Sequence, residues 1–259
     1  MIHRKDGAEL ASMARAGAVV AQTHQILAEA LRPGTTTRDL DDIAERTIIA
    51  AGATPSFKGY RGFPATLCTS RNDQVVHGIP SAEVVLDEGD LISIDCGAIV
   101  EGFHADSAVT LIVGDPHAAP AGVTELIDAT RTAMWAGIAQ ARKGRRLGDI
   151  GAAIGASARR HRYGLVTDYI GHGVGRSLHE DPAVANDGEP GRGMRLPAGL
   201  VIAIEPMFNL GAAATRVMDD GWTVATTDGA WSAHWEHTVA VTADGPWILT
   251  ARSGEPSRL

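Results

Sequence analysis

Five residues of this chain have the side chains and the settings to hold metal ions: Asp95, Asp106, His172, Glu205 and Glu236. Together they offer hard oxygen donors and an imidazole, a set suited to divalent first-row cations. Most of them lie inside apolar runs, such as those around 91–94, 108–111 and 200–204. An ionised carboxylate in a low-dielectric interior needs a paired charge or a metal. Five such groups in one chain suggest a shared cation site.

The acids at 95 and 106 carry the firmest pattern. Residues 91–100 and 103–113 read as β-rich runs separated by Glu101-Gly102, a good two-residue hairpin turn. Closing that turn pairs Val100 with Phe103, and counting back sets Gly97 opposite Asp106. Side chains alternate along a strand, so Asp95 shares a face with Gly97. Asp95 and Asp106 are then diagonal neighbours, roughly 7–8 Å apart at the backbone. Gly97 is expected to leave the space between them open. Like charges so placed repel unless a proton or a cation sits between them.

The second half of the chain supplies the other groups. Glycines crowd His172 in the stretch 168–175, which lets backbone approach a ligand closely. The run 200–205 ends its apolar residues on Glu205, just before Pro206. Residues 231–241 read as one strand, with Ser232, His234, Glu236 and Thr238 on one face. His179-Glu180 is not a zincin helix, because Ala183 stands where HExxH needs its second histidine. His77 precedes a Gly-Ile-Pro turn; alone, a histidine there is more often structural or exposed than catalytic.

Long amphipathic helices must position these strands. One is predicted over 7–31, with Leu10, Met13, Val20, Leu27 and Leu31 at three-and-four spacing and Gly17 and His24 at the remaining steps. Pro33-Gly34 stops it, and threonines 35–37 cap a second helix that ends at Gly52. A glycine- and aromatic-rich stretch, 57–64, reads as loop and edge strand, either packing under a loop or walling a pocket. After the hairpin, a helix over about 120–142, a stop at Gly144 and a second helix over 147–163 repeat the opening plan. Gly34 and Asp39 correspond to Gly144 and Asp149 at an offset of 110 residues. Two helix-helix-strand halves, roughly 1–115 and 116–259, would form one pseudo-symmetric α/β (α+β) domain with a site between them. The tail beyond Leu249 is polar and carries no readable function.

Bulk properties narrow the function classes. At 259 residues, with 44% apolar and 21% charged side chains, the composition is that of a soluble globular protein with a sizeable core. A net charge of −8 argues against a general nucleic-acid binder, which needs a basic surface. Cys68 and Cys96 form no CxxC or zinc-finger spacing, which fits a reducing compartment. The N-terminus lacks a signal-peptide core, and no run approaches the ~20 apolar residues of a membrane helix. A soluble cytoplasmic protein is expected.

The motifs in order resemble those of the type I methionine aminopeptidases. They are Val76-His77-Gly78-Ile79-Pro80, Ile94-Asp95, Gly102-Phe103-His104-Ala105-Asp106, Gly171-His172-Gly173-Val174-Gly175-Arg176, His179-Glu180-Asp181-Pro182, Ile204-Glu205-Pro206-Met207 and Glu236-His237-Thr238. The resemblance runs from the first helix to about Val241. It implies the pita-bread fold, a pseudo-twofold α/β domain with a curved antiparallel sheet. It also implies removal of the initiator methionine from nascent chains, ribosome-borne, whose second residue is small. Two divalent ions (Co, Mn, Fe or Zn) are implied: Asp95, Asp106 and Glu236 hold one, Asp106 and Glu236 bridge to the other, and His172 and Glu205 complete it. By the same resemblance Glu205 accepts a proton from the attacking water, His179 stabilises the oxyanion, and His77 contacts the leaving nitrogen. Tyr60, Phe63, Cys68, Leu178 and Trp222 would line the methionine pocket, and carbonyls near Asn72, Gln74 and Ser232 match a monovalent-cation site. Leu178 stands where the family often has Phe, and His234 where Gln is common, which puts specificity and pH profile in question. The competing readings are a proline dipeptidase or Xaa-Pro aminopeptidase of the same fold, and a non-catalytic pita-bread binding protein. The first usually carries an N-terminal domain, for which the helix beginning near Gly7 leaves no room. The second would have lost ligands. A monomer without nucleic-acid or membrane partners is expected.

Overall fold

The computed structural model describes residues 2–259. Four helices carry most of the outer layer: α1 (Gly7–Ala30), α2 (Thr37–Ala50), α3 (Val123–Ile138) and α4 (Leu147–His161). α1 starts on a capping box, in which Asp6 accepts from Ala8 N and Glu9 N while Glu9 accepts from Asp6 N. Its inward stripe is Met13, Ala16, Val20 and Leu27, all fully buried, and Gly17 and His24 face inward between them. That stripe packs on the hairpin formed by strands Leu91–Val100 and Phe103–Ile112.

The hairpin register follows the turn. Glu101 and Gly102 both have positive φ, 53° and 77°, as a type I′ turn requires. Val100 pairs with Phe103 and Gly97 with Asp106, as counted from the sequence. Strand Leu67–Arg71 pairs on the other edge of Leu91–Val100, with Cys68 opposite Asp95. Gly97, however, does not leave a gap between the two acids. A Cβ there would lie 2.7 Å from Ser56 Cβ and 2.9 Å from Phe57 Cε1, so the glycine admits the aromatic loop against the strand.

Two hydrogen bonds and a glycine conformation recur at the 110-residue offset. Gly34 N donates to Leu86 O at 2.8 Å, and Gly144 N to Leu196 O at 3.0 Å. Asp39 and Asp149 each return a carboxylate to the N-cap backbone, at 2.9 and 2.8 Å. Gly34 and Gly144 share a left-handed φ of 89° and 90°, where a side chain would be strained. α3 is shorter than the pattern predicts, because it begins after a left-handed Gly122 and gives way to turns beyond Ile138.

A five-stranded antiparallel sheet runs in the order Pro246–Ile248, His237–Val241, Val201–Ile204, Gly171–Gly173, Glu180–Val184. The expected single strand over 231–241 is broken. Ser232–His234 pairs with Met207–Asn209 in a different sheet, and His237–Val241 pairs with Val201–Ile204. The register is continuous from Ile204↔His237 to Met207↔His234, but the residues between, Glu205-Pro206 and Trp235-Glu236, leave the ladder. Pro206 has no N–H to give, so across the break only its carbonyl pairs, accepting from Trp235 N at 3.3 Å. The break sets Glu205 across from Glu236. Among the described residues, no helix is long and apolar enough to cross a membrane.

Candidate active site

Five chain segments converge on one cavity of about 190 Å³. The hairpin brings Asp95 and Asp106, the strand Gly171–Gly173 brings His172, and the break brings Glu205 and Glu236. All five sequence candidates line it, together with His77, His179, Tyr60, Phe63, Cys68, Leu178 and Trp222. Asp106, His172 and Glu236 are buried and present ligand atoms within 4.8 Å of one another.

The state of His172 can be read from its partners. Its Nδ1 lies 2.9 Å from Gly173 O, and a carbonyl only accepts, so Nδ1 carries the proton. The Nε2 lone pair then faces Asp106 Oδ2 at 3.8 Å and Glu205 Oε1 at 3.5 Å. Lone pairs turned toward one another repel unless a cation or a proton lies among them. Asp95 Oδ1, Asp106 Oδ1 and Glu236 Oε1 are also buried without hydrogen-bond partners. Buried acceptors of this kind carry an explanation or a cost. A divalent cation answers every one of them, so the donor set fits a metal.

Electrostatics agree. Burial, followed by the charges of Asp106 and Glu205, pushes the Asp95 carboxyl well above its usual range. Burial raises Asp106 to about 7, with hydrogen bonds from Asp95 and Ser107 acting the other way. Glu205 is pushed up to about 8 by burial and then by Asp106, and Glu236 is also raised well above its usual range, again mainly by burial. These are carboxylates crowded beyond what the protein's own cations neutralise.

Around the acids stand the other candidates. His179 lies over His172, ring centroids 4.0 Å apart, and its Nδ1 is 3.0 Å from the Tyr60 hydroxyl. Burial and then His172 lower His179 to about 3, so it is neutral near pH 7. His77 has a left-handed φ of 61° and meets Tyr169 and Trp222 edge-on at 5.7 and 6.4 Å. Phe57, Phe63, Ala65, Cys68 and Leu178 form an apolar cluster, with Tyr60, Ile79 and Trp222 against it. Burial and then Asp95 raise the Cys68 thiol well above its usual value, so it acts as a small apolar wall. His234 is buried, with Nε2 3.8 Å from Glu205 Oε2 and without a hydrogen bond. Asn72 and Ser232 are adjacent, Ser232 N donating to Asn72 O at 2.9 Å.

The cavity also takes in Phe57, Arg61, Tyr169, Ile170, Val76 and Met207. Phe57 and Arg61 fall in the stretch 57–64 that the sequence offers as a loop or a pocket wall; the sequence gives the other four no role of their own. Tyr169 reaches the site by packing on His77, 92 positions earlier in the chain, and nothing local signals that contact.

Residues 11–243 match the model of metallopeptidase family M24, and the chain belongs to that family. It is 52% identical over 256 residues to methionine aminopeptidase 1 of Mycobacterium tuberculosis, covering 96% of this chain and 95% of that protein. The solved structure of methionine aminopeptidase from Thermotoga maritima superposes with a TM-score of 0.94 at 39% identity, over 97% of this chain and 100% of that one. The prolidase of Pyrococcus horikoshii shares only the fold, with a TM-score of 0.77 at 21% identity and 64% of its own chain covered. The architecture is the α+β pita-bread fold, and the likeness to type I methionine aminopeptidases extends over nearly the whole chain.

Proposed function

We propose that this protein is a metal-dependent methionine aminopeptidase that removes the initiator methionine from nascent chains whose second residue is small. The observation that carries the reading is the His172 imidazole, its proton tied to Gly173 O and its lone pair turned into a buried cluster of carboxyl groups. Beside that cluster lies an apolar, partly aromatic pocket suited to a thioether. The 52% identity to methionine aminopeptidase 1 of Mycobacterium tuberculosis supports the same activity.

Asp95, Asp106, His172, Glu205 and Glu236 would hold two divalent cations, drawn from Co, Mn, Fe or Zn. Bound there, such ions lower the pKa of a water and polarise the scissile carbonyl. The chain's own residues do the rest. Glu205 accepts the proton of the attacking water, a role that suits a carboxyl whose proton affinity burial has raised. In the tautomer in which His179 Nδ1 accepts a hydrogen bond from the Tyr60 hydroxyl, 3.0 Å away, Nε2 carries N–H and is a neutral donor for the carbonyl oxygen as charge develops on it. His77, neutral because burial lowers its pKa, meets the peptide nitrogen on the leaving side. Phe63, Cys68, Leu178 and Trp222, with Tyr60, enclose the methionine side chain and exclude water.

We read the chain as one catalytic domain of two halves, acting as a monomer on ribosome-borne chains, with a monovalent cation near Asn72, Gln74 and Ser232. The test is hydrolysis of Met-Ala-Ser beside Met-Lys and Ala-Pro peptides, before and after chelation. Cleavage of Met-Ala-Ser that chelation stops and metal restores is expected. Cleavage confined to Xaa-Pro substrates, or activity indifferent to chelation, overturns the assignment.

A further inference from the structure

The polar tail that follows the last strand is folded against the back of the metal-ligand strands. Thr250 Oγ1 accepts from Thr238 N at 3.1 Å and lies 2.9 Å from His237 Nδ1. Thr238 Oγ1 in turn donates to Asp106 O at 2.7 Å and accepts from Asp106 N at 2.9 Å. Arg252 Nη1 donates to Ser107 Oγ at 2.8 Å, and Ser107 Oγ donates to Glu236 O at 2.6 Å. Glu255 orients the arginine: its Oε2 accepts from Arg252 N at 2.9 Å and lies 3.4 Å from Arg252 Nε. The same oxygen is 3.2 Å from His237 Nε2.

These contacts bracket Glu236 on three sides. Its carbonyl is held by Ser107, the residue after Asp106. The ring before it, Trp235, has the Arg131 and Arg252 guanidinium groups each 5.3 Å from its centroid. The histidine after it is held by Glu255 and Thr250. Arg252, Ser107, His237 and Glu255 all keep most of their side chains from solvent, so the network is not a solvated surface pair. Arg252 is the one tail side chain that joins the neighbours of both acids, reaching Ser107 after Asp106 and Trp235 before Glu236.

We propose that Arg252, oriented by Glu255, is a positioning residue that fixes Glu236 and Asp106 in their metal-binding geometry through Ser107. This rests on the reading of those two acids as metal ligands. Groups that hold a ligand in place typically change metal affinity 10–100-fold when removed. Arg131 serves as the control. It also pairs with Glu255, at 3.4 Å, and lies by Trp235, but it is not bonded to Ser107.

The experiment titrates metal-stripped protein with Co(II) by calorimetry and records the visible absorption of the bound ion, with the melting temperature of each stripped variant measured alongside. Asp106→Asn tests the underlying reading; if it binds Co(II) as the parent does, or the parent binds none, that reading fails. With it intact, Arg252→Gln is expected to weaken binding at least about 10-fold and to alter the absorption bands, and Arg252→Lys to recover part of the loss. Ser107→Ala should do the same, and the double variant should lose little more than either single one, as members of one chain of contacts do. Ser107→Ala alone also stands in should Arg252→Gln not fold. Arg131→Gln should leave affinity within about twofold, well below the range that removal of such a support produces. Unchanged affinity and spectrum in Arg252→Gln and Ser107→Ala, or an equal loss in Arg131→Gln, would overturn the proposal.

Discussion

At the scale of single residues, the site is a problem of proton and charge placement. His172 Nδ1–H donates to Gly173 O, which leaves the Nε2 lone pair turned toward the acids, and His179 Nδ1 meets the Tyr60 hydroxyl. Asp106→Ala removes a buried acid whose Oδ2 lies 3.8 Å from His172 Nε2, and turnover should fall below detection while the chain still folds; steady-state assay with circular dichroism checks both. His179→Ala should lower kcat by about 10²–10³ with little change in KM, the size of losing one oxyanion donor. A loss confined to KM would show that His179 only binds. Gly97→Ala tests a different point. Its Cβ would strike Ser56 and Phe57, so the variant should lose about 1–3 kcal/mol and bind methionine substrates less well as Phe57 moves from the cavity wall. Unaltered stability in a denaturant titration would contradict the packing account.

At the scale of elements, the loop that carries Leu178 and His179 is tied down by the opposite end of the chain. Lys5 Nζ, almost wholly buried, is 2.7 Å from Glu180 Oε2, and Glu180 Oε1 accepts from Ser177 N at 3.2 Å. Lys5 is itself anchored through its N–H to Gly199 O at 2.7 Å. Lys5→Met removes the cation from a largely buried pair and should cost about 3 kcal/mol. It should also lower kcat, because His179 adjoins Glu180. The hydrogen bonds and the ion pair hold the Glu180 carboxyl below its ordinary value against the opposing effect of burial. A lowered carboxyl stabilises the fold above the ordinary value of 4.5, and that share is lost as pH falls through the folded value. The melting-temperature gap between parent and Lys5→Met should therefore narrow in acid. A gap that widens there would refute the pairing. Much of this scale is legible in the sequence. Helix caps, the stop at Gly34 and the hairpin turn at Glu101-Gly102 depend on local chemistry. The break at Glu205-Pro206 and Trp235-Glu236 does not, since it needs the proline of one strand to face the acid-bearing stretch of another.

At the scale of the whole molecule, the buried acids set the pH response once metal is removed. Asp106 and Glu205 bind protons more tightly folded than unfolded, titrating at about 7 and about 8 against ordinary values of 3.8 and 4.5. Their contribution to stability is complete below those ordinary values and is lost as pH rises through the folded ones. His24, His179 and His234, lowered to about 3 by burial, act in the other direction, but only below their ordinary 6.5. Above that pH the acids act alone. Metal-stripped protein should melt at progressively lower temperature from about pH 6.5 to 8.5, and saturating Mn(II) or Co(II) should flatten the curve by binding only the folded state. Scanning calorimetry decides it, and a stripped protein that gains stability over that range would contradict the crowding of the four carboxyl groups.

The sequence by itself determined the helix order, the hairpin register, the 110-residue recurrence and the acids and histidines around which the cavity forms, because each follows from period, turn type or motif within a short span. Only the tertiary structure decided that Gly97 receives Phe57, that Glu205 faces Glu236 across a broken ladder, and that Tyr169 joins His77. It also turned the polar tail, unreadable as sequence, into a support for the acids, since Arg252 meets Ser107 across 145 positions of chain. Contacts of that span depend on how sheets pack, and no local pattern of side chains encodes them.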